Sequence, residues 1–582
     1  MIKLVKKYKW QIFIQITFIF LNIYFLTYPP KIIGKMVDLL YDIQANKQAI
    51  FFHIFYLLGS SMVILMMRMI WKYFETYIAR AIEKDLKNKL YEKIMKIRLA
   101  KLQEIKNGEL MSYFVKDIND IRGFVYRLLS FGTRLVATSL IAFITMSAGV
   151  NLNLTLATIS PIIVTAYLIV KIKTYVELSY RKAQASFTDL SEYVQESTDS
   201  IRTTKAYCCE TEQLKTFIRK NRKLRSDNNN VDIHQALLKS CINIGFGICY
   251  SISLLYGANL VLNHTITIGE FVAFNGYVGL FVGPVSWLPS IIAYLKRAQV
   301  AYQRLDKVFS LETEKISAKK IKENKENKTP FIGDIEVKDL SFHYPNSLTP
   351  TLSHISFKVG IGQTLGVIGT IGSGKTTLMN LLLKLYEVQR GRIFIDGKDI
   401  LDIPIEVLRN NICYITQDNF LFSATLKENI SLFREEDYAD NEIEKSTKDA
   451  LIYDDICQMP NDIHTVIGER GVDLSGGQKQ RIVISRAFLQ KSNIVIFDDT
   501  FSALDNRTEQ SLLHNIKELT KDKTCIIVSN RISDIKESDE ILVLDGGDIV
   551  QRGAHEQLIE QQGLYNQFYK QQASQTEDSF LH

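Results

Sequence analysis

The chain has 582 residues, a formal net charge of +7 and 46% hydrophobic residues, so it is long enough for more than one domain. No stripe of basic and aromatic residues accompanies the positive charge, which argues against a nucleic-acid partner. The seven cysteines and nine histidines lack the spacing of a metal site, so a zinc or redox-cysteine protein is also disfavoured.

The first predicted element is a membrane span over residues 10–28. These nineteen residues carry no charge, follow a lysine-rich start and end at Pro29 and Pro30. A cleavable signal peptide is the alternative, but the stretch is too long and no small-residue cleavage site follows. The preceding lysines predict a cytosolic N-terminus, which agrees with the cytosolic-positive rule for membrane proteins.

Five further apolar runs predict a total of six spans. They lie near residues 51–74, 128–149, 152–170, 241–262 and 271–295. The connection 75–127 carries twelve basic and eight acidic residues, whereas 149–153 and 263–269 contain neither Lys nor Arg. The long connections are therefore expected in the cytosol. The first outer connection fits this rule least well, because it contains Lys31, Lys35 and Lys47.

The two inner connections, 75–127 and 171–240, are much longer than a helical hairpin requires. They are rich in Lys, Glu, Arg, Gln and Leu, which favours helical arms. An arm of about twenty residues reaches some 30 Å at 1.5 Å per residue. The alternative is that these are charged, solvated helices that contact no partner.

The second half of the chain is predicted to be a separate domain. Residues 1–310 form the membrane domain with its six helices and cytosolic extensions, and the charged, apolar-poor segment 311–330 is a linker. Residues 331–570 form one α/β domain. Residues 571–582 are expected to be a polar tail without regular structure.

A glycine-rich loop follows the predicted strand 364–368. It reads Gly369, Thr370, Ile371, Gly372, Ser373, Gly374, Lys375, Thr376 and Thr377. Glycines let backbone N–H groups approach phosphate oxygens, and a following helix N-terminus favours negative charge. Lys375 is expected to reach the β- and γ-phosphates of ATP, and Thr376 to hold Mg²⁺. A glycine-rich turn that binds no nucleotide is the alternative.

A second part of the same site is expected at Asp498. The preceding residues 494–497 are all apolar, as in a buried parallel strand, and such strands present ligand-binding residues at their carboxyl ends. Asp498 is therefore a predicted Mg²⁺ residue.

These motifs, together with several others, resemble those of the ATP-binding cassette (ABC) transporters over essentially the whole chain. The other matching residues are Tyr344 for adenine stacking, Gln417 near the γ-phosphate and Mg²⁺, Gly468, Glu469, Arg470 and Gly471 ahead of the signature, Leu474, Ser475, Gly476, Gly477 and Gln478 as the signature, and Ser502, Ala503, Leu504 and Asp505 as the crossing loop. The resemblance implies an α-helical six-span membrane domain of the ABC exporter fold plus an α/β P-loop nucleotide-binding domain. It also implies short coupling helices at the tips of the inner arms, expected at residues 117–123 and 209–217.

Two residues depart from the pattern of the family. Asp499 stands where active members usually carry Glu, and Asn530 stands where they usually carry His. Both positions belong to the γ-phosphate end, so Asp499, Asn530 and Gln417 are the candidate catalytic residues. Shortening a carboxylate side chain by one bond and removing an imidazole are expected to slow hydrolysis while ATP binding is retained.

The resemblance implies that two nucleotide domains close head to tail, each ATP lying between one phosphate loop and the opposite signature. A weakened site beside a complete signature predicts one half of a heterodimer, whose partner carries Glu, His and a degraded signature. A slow homodimer that tolerates both changes is the alternative.

The implied function is ATP-driven export of hydrophobic or amphipathic small molecules, drugs or lipids, across the bacterial cytoplasmic membrane. An importer of iron-chelator complexes built on the same fold would have similar motifs. A membrane-embedded sensor that binds ATP without transport is a third possibility, from another functional class.

Overall fold

The computed structural model describes residues 6–41, 47–314, 331–344, 347, 349–434, 438–468 and 474–580. Most of the predicted linker, residues 315–330, and the last two residues of the predicted tail lie outside this range. The chain forms two compact units. One comprises Met1–Met95 and Ile105–Leu311, and the other comprises Lys96–Glu104 and Glu312–His582.

Long helices build the membrane unit, because its apolar runs are much longer than a soluble core helix needs. The helices are α1 Lys9–Leu26, α2 Tyr28–Tyr41, α3 Lys47–Lys96, α5 Asn107–Ser112, α6 Ile118–Arg127, α7 Thr133–Gly149, α8 Leu152–Asp199, α9 Ile201–Ala206, α10 Glu210–Leu262, α11 Ile268–Leu280 and α12 Val282–Ser310. Short π-helical turns join α5 to α6 and α6 to α7. Six helical segments of the described residues are long and apolar enough to cross a membrane, which confirms the predicted number.

The proline pair ends one helix and begins the next. Helix α1 ends at Leu26, and Pro29 and Pro30 lie in the first turn of α2, where proline loses no helical hydrogen bond. The sequence predicts an outer connection without a helix from Pro29 onwards. That expectation was wrong for Tyr28–Tyr41, because proline is compatible with a helix start as well as with a helix end.

A glycine contact joins α2 to α11. A Cβ on Gly269 would lie 2.1 Å from the carbonyl oxygen of Gly34, so the two backbones touch. Beside them, the carboxylate of Asp38 accepts hydrogen bonds from the Gly269 N–H at 2.7 Å and from the Thr267 hydroxyl at 2.8 Å. Thr267 also caps α11 in a capping box with Glu270.

Gly269→Ala is expected to destabilise the membrane unit by about 1–3 kcal/mol, because the new methyl group meets backbone rather than a movable side chain. The measurement is the unfolding temperature of the purified protein in detergent. Gly59→Ala is the matched control, because a Cβ there meets nothing within 4 Å. An unfolding temperature that is lowered equally by both substitutions would contradict the proposed packing.

The inner arms are continuous extensions of the spans. Helix α3 alone has 50 residues, which is roughly 75 Å at 1.5 Å per residue and much longer than the hydrocarbon layer. The candidates for coupling helices were misplaced. Residues 117–123 lie within the third span, Gly108–Gly149, and residues 210–217 form the first turns of α10. The short separate helices are instead α4 Leu99–Gln103 and α9.

The described residues of the nucleotide unit form two sheets. Strands β1 Ile335–Phe342, β2 Leu352–Val359, β4 Ile393–Ile395 and β5 Lys398–Asp399 form an antiparallel sheet in the order β2-β1-β4-β5. Strands β3 Thr364–Gly369, β6 Ile412–Ile415, β7 Ile494–Asp498, β8 Thr524–Val528, β9 Glu540–Asp545 and β10 Asp548–Gly553 form the order β10-β9-β3-β8-β7-β6. Among the described strands of the second sheet, only β10 runs antiparallel to its neighbour.

Helices surround this sheet and cover its faces. They are α13 Lys375–Leu382, α14 Ile405–Asn411, α15 Leu426–Ser431, α16 Asp440–Asp449, α17 Tyr453–Cys457, α18 Gly476–Leu489, α19 Asn506–Thr520, α20 Ile532–Ile535, α21 His555–Glu560 and α22 Leu564–Phe580. Every residue of β7 and β8 is buried, as a parallel strand covered on both faces requires. The carboxyl ends of β3, β7 and β8 therefore meet at one edge of the sheet.

The nucleotide unit also includes two segments whose structure differs from the sequence expectation. The predicted unstructured tail is wrong for residues 571–580, which continue helix α22 to Phe580. The short helix α4 belongs to this unit, and its Gln103 accepts a hydrogen bond of 2.7 Å from the Tyr386 hydroxyl.

Candidate functional site

The phosphate loop leaves β3 and enters α13 through two left-handed glycines. Gly372 has φ of +84° and Gly374 has φ of +96°. A Cβ on Gly374 would lie 2.6 Å from a methyl group of Leu352 and 2.8 Å from a backbone oxygen, so both space and backbone conformation require glycine. The loop is thus shaped to expose backbone N–H groups at the start of a helix.

Two polar side chains of the loop are arranged as a phosphate site requires. The Lys375 ammonium donates to the carbonyl oxygens of Gly369 at 2.8 Å and Thr370 at 3.0 Å, which holds it over the loop. Burial lowers the pKa of Lys375 below its ordinary value, while Asp499 and Asp498 oppose this change. Among the described residues, the Ser373 hydroxyl is buried without a hydrogen-bond partner. An orphaned donor beside a lysine fits an incoming phosphate oxygen.

Asp498 and Thr376 present the oxygen ligands that Mg²⁺ prefers. The Thr376 hydroxyl lies 3.4 Å from one carboxylate oxygen of Asp498, and the Tyr414 hydroxyl donates to the other at 2.9 Å. Asp498 is 1% exposed, and burial raises the pKa of its carboxyl above the ordinary value. A divalent cation would relieve this cost of a buried carboxylate, so the donor set fits the metal.

The three candidate catalytic residues meet at one carboxylate oxygen of Asp499. The side-chain amides of Gln417 and Asn530 lie 3.2 Å and 3.4 Å, respectively, from Oδ2 of Asp499. Asp499 itself adopts a left-handed backbone conformation with φ of +48°, and its N–H donates to the carbonyl oxygen of Val528 at 2.8 Å. Hydrogen bonds to both the backbone and the side chain of Asp499 therefore orient its carboxylate.

The loop that carries Asn530 rests on a buried acidic group. The Ser529 hydroxyl donates to Asp534 at 2.5 Å, and the Arg531 guanidinium pairs with Glu509 at 2.8 Å. Burial raises the pKa of Asp534 to about 7, with Glu509 raising it further and Ser529 and Arg531 opposing the change. The base of this loop thus contains an acid that titrates near neutral pH.

Asp534→Asn is expected to stabilise the protein, and the gain should grow between pH 5 and pH 7. Because the folded pKa of about 7 exceeds the ordinary value of 3.8, the folded state holds a proton that the unfolded chain has released. The wild type therefore loses stability as the pH rises towards the folded pKa, and the asparagine does not. Calorimetric unfolding at pH 5, 6, 7 and 8 measures this. Asp522→Asn, at an exposed position, is the control, and a gain that is the same at every pH would contradict the expectation.

Tyr344 is placed beside the phosphate-loop helix. Its hydroxyl lies 3.0 Å from the Thr377 hydroxyl, and its ring packs edge-to-face on Tyr386 with centroids 5.1 Å apart. Phe342 contacts it in the same way at 5.2 Å. The adenine-stacking role of Tyr344 remains a prediction.

The signature residues form the exposed start of helix α18. The Ser475 hydroxyl accepts from the Gln478 N–H at 3.2 Å, and the Gln478 side chain accepts from the Ser475 N–H at 3.1 Å. Gly476 and Gly477 lie between them, in the first turn. Within the described part of the chain, no hydrogen bond connects these residues to the phosphate loop. Glu469, Arg470 and Gly471 lie outside the described residues.

Comparisons with known proteins agree with this arrangement. Residues 12–285 match the family model "ABC transporter transmembrane region", and residues 352–502 match "ABC transporter". The "Probable multidrug resistance ABC transporter ATP-binding/permease protein YheI" of Bacillus subtilis (strain 168) is 34% identical over 94% of this chain and 92% of its own length. The chain belongs to the ABC transporter family.

Other relatives of this ABC transporter carry related descriptions. The "Multidrug resistance-like ATP-binding protein MdlA" of Escherichia coli (strain K12) is 30% identical over 94% of this chain and 91% of that protein. An "ATP-dependent lipid A-core flippase" of Syntrophus aciditrophicus (strain SB) is 31% identical over 85% and 81%, respectively. A solved bacterial Atm1-family ABC exporter with ATP bound has a TM-score of 0.79 at 22% identity, covering 97% of this chain and 99% of that chain, which shows a common fold.

The ABC transporter is therefore a multi-pass membrane protein with a cytosolic nucleotide-binding domain, and it is an ATPase coupled to transport. Membership of the family establishes ATP binding by this domain.

Three residues of the site were not anticipated from the sequence. Tyr414 supports Asp498, Asp534 lies under the loop of Asn530, and Gln572 contacts that loop from helix α22. Tyr414 lies on strand β6, which pairs with β7. A polar residue on a buried strand was the sequence signal that could have marked it. No local pattern marks Gln572, because its contact depends on where the last helix packs.

Proposed function

We propose that this chain is one half of a heterodimeric exporter that moves hydrophobic or amphipathic molecules, drugs or lipids, out of the cytosol. The observation that carries the proposal is the convergence of two neutral amides on the shortened carboxylate of Asp499. The descriptions of relatives as multidrug resistance proteins and a lipid A-core flippase support the class of cargo.

The residues at the γ-phosphate end would slow turnover for chemical reasons. Asp499 is the group that would orient and deprotonate the attacking water, and it is one carbon shorter than the usual Glu. Asn530 can donate a hydrogen bond but cannot carry the positive charge of an imidazolium against the transferred phosphate. Gln417 holds the carboxylate in place. Binding and cleavage are therefore expected to separate, with nucleotide retained and hydrolysis slowed.

The residues that are expected to bind nucleotide match the pattern of the family. The phosphate loop residues Gly369, Gly372, Ser373 and Gly374 would provide the cradle, and Lys375 would neutralise the β- and γ-phosphates. Thr376, Asp498 and Gln417 would hold Mg²⁺, which when bound neutralises developing charge on the phosphates. Tyr344 would stack on adenine.

The signature serves the other chain in this proposal. Its capping box holds Ser475 and the start of α18 in a defined, exposed position. We propose that a partner with Glu and His at the corresponding catalytic positions docks its phosphate loop here. Closure of the two nucleotide domains would move the short helices α4 and α9, which we propose as the coupling elements in place of the segments first expected.

The test is transport by the reconstituted pair. The chain is co-purified with the product of a neighbouring reading frame that carries the complementary residues, and ATP-dependent uptake of a fluorescent amphipathic dye is measured in inside-out vesicles. Uptake by the pair and its absence from either chain alone are the expected results. Export from such vesicles would favour import in the cell, and ATP binding without any transport by the pair would favour a regulator.

A further inference from the structure

The last described helix makes a two-point contact with the loop of Asn530. The side-chain amide of Gln572, on α22, donates to the carbonyl oxygen of Asn530 at 2.8 Å. Its carbonyl oxygen accepts from the N–H of Ile532 at 2.9 Å. One side chain thus pairs with the backbone on both sides of Arg531, as a neighbouring strand would.

Helix α22 has its own rigid attachment. Tyr565 near its start is 0% exposed, and its N–H donates to the Gln551 side chain at 3.0 Å. The Tyr565 hydroxyl lies 2.6 Å from Nδ1 of His555, and Phe568 packs on the core of the nucleotide unit. Gln572 therefore extends from an anchored helix rather than from a loose end.

We propose that Gln572 is a positioning residue for ATP hydrolysis, which holds the backbone of Asn530 so that its side-chain amide meets Asp499. The Asn530 amide lies 3.4 Å from Asp499, at the long end of hydrogen-bond distances, so a small displacement of the loop breaks the contact. Because these two hydrogen bonds of Gln572 go to backbone atoms, they would act on loop position whichever residue occupies position 530.

Gln572 holds a backbone atom of the loop that the other two attachments do not contact. Ser529 and Arg531 attach the loop through Asp534 and Glu509, on either side of Asn530. Neither attachment uses the carbonyl oxygen of Asn530, and Gln572 does. This oxygen belongs to the peptide unit that follows Asn530, so holding it restricts the position of the Asn530 Cα, from which the side chain extends.

The inference rests on the proposed role of Asn530 at the γ-phosphate end. Its test measures the single-turnover rate of ATP cleavage with the purified full-length protein in excess, together with the Kd for ATP and the unfolding temperature. Gln572→Ala is expected to lower the rate about tenfold, because misplacement by a fraction of an ångström reduces the fit of reacting groups. The Kd should change less than twofold. Gln571→Ala, at an exposed neighbour on the same helix, is the matched control and should change none of the three.

Gln572→Glu separates positioning from a general loss of structure. A protonated carboxyl has one donor and one acceptor and reproduces the amide contact, whereas a carboxylate cannot donate to the Asn530 carbonyl. The cleavage rate of Gln572→Glu is therefore expected to approach the wild-type rate at the same pH as the pH falls from 8 to 5. The deficit of Gln572→Ala should stay constant.

Asn530→Ala distinguishes the inference from the function on which it rests. In that background, Gln572→Ala should have no further effect on the rate, because both changes remove the same contact. An unchanged rate for Gln572→Ala, equal losses in rate and ATP affinity, or additive effects in the double variant would overturn the inference alone. If Asn530→Ala leaves the rate unchanged, the proposed role of Asn530 fails, and the inference fails with it.

Discussion

The double substitution Asp499→Glu and Asn530→His is expected to raise ATP cleavage by this chain about a hundredfold. The longer side chain moves the carboxylate by about one bond, a distance that can change a rate by two orders of magnitude. The imidazole adds a group that can carry positive charge near the transferred phosphate. The gain should exceed the product of the gains from the two single substitutions, because Asn530 and Asp499 contact each other.

The measurement is the single-turnover release of phosphate by the purified full-length chain, with the Kd for ATP determined in parallel. The Kd should stay within about twofold, because the phosphate loop and Asp498 are unchanged. Asp522→Glu makes the same chemical change at an exposed position and serves as the control. A wild-type rate already equal to that of the double variant would contradict a weakened site.

Ser475→Arg is expected to stop ATP turnover by the proposed pair while leaving ATP binding to this chain intact. In the closed pair, the larger charged side chain would occupy the space of the ATP phosphates that the partner's phosphate loop holds. The substitution also removes a positioned hydrogen-bond donor, and such a loss reduces turnover about a hundred- to a thousandfold. Within the described residues, Ser475 makes no hydrogen bond to the phosphate loop of its own chain, so the Kd of the isolated chain should not change.

Ser475→Thr is the matched control for this experiment. It keeps a hydroxyl that can both cap α18 and donate to the partner's nucleotide, so its turnover should stay near that of the wild type. Loss of the cap by itself costs about 1 kcal/mol, which is too little to stop turnover. Turnover of the pair is measured at saturating ATP for both variants. If Ser475→Arg weakens ATP binding to the isolated chain as strongly as it reduces turnover of the pair, the signature acts within its own chain and the heterodimer proposal loses its basis.

In the membrane unit, the local sequence predicts the number of spans better than the positions of the turns. Long apolar runs predicted six spans, because the cost of an exposed polar backbone in hydrocarbon leaves a helix as the only local solution. The position of each turn was less predictable. The charged arms continue as helices through residues 117–123, and the helix is interrupted on either side of the short helix Leu99–Gln103, between Lys96 and Asn107. Helical periodicity alone does not mark where an amphipathic arm ends.

The proline pair shows the same limit. Pro29 and Pro30 signalled an interruption, but they did not specify whether the chain leaves the helix or begins another. The polar tail is a related case. Its composition predicted no regular structure, yet the helix continues to Phe580 because Tyr565 and Phe568 pack its start on the core.

By itself, the sequence determined the phosphate loop, the buried acid Asp498, the number of spans and membership of the family, because each depends on neighbouring residues or on a contiguous pattern. Only the tertiary structure decided which groups meet. Gln417 and Asn530 lie 82 and 31 residues from Asp499 in the chain, and Gln572 lies 42 residues from Asn530. Their contacts arise because parallel strands end at one edge of a sheet and a final helix packs beside it, and no local pattern encodes that arrangement.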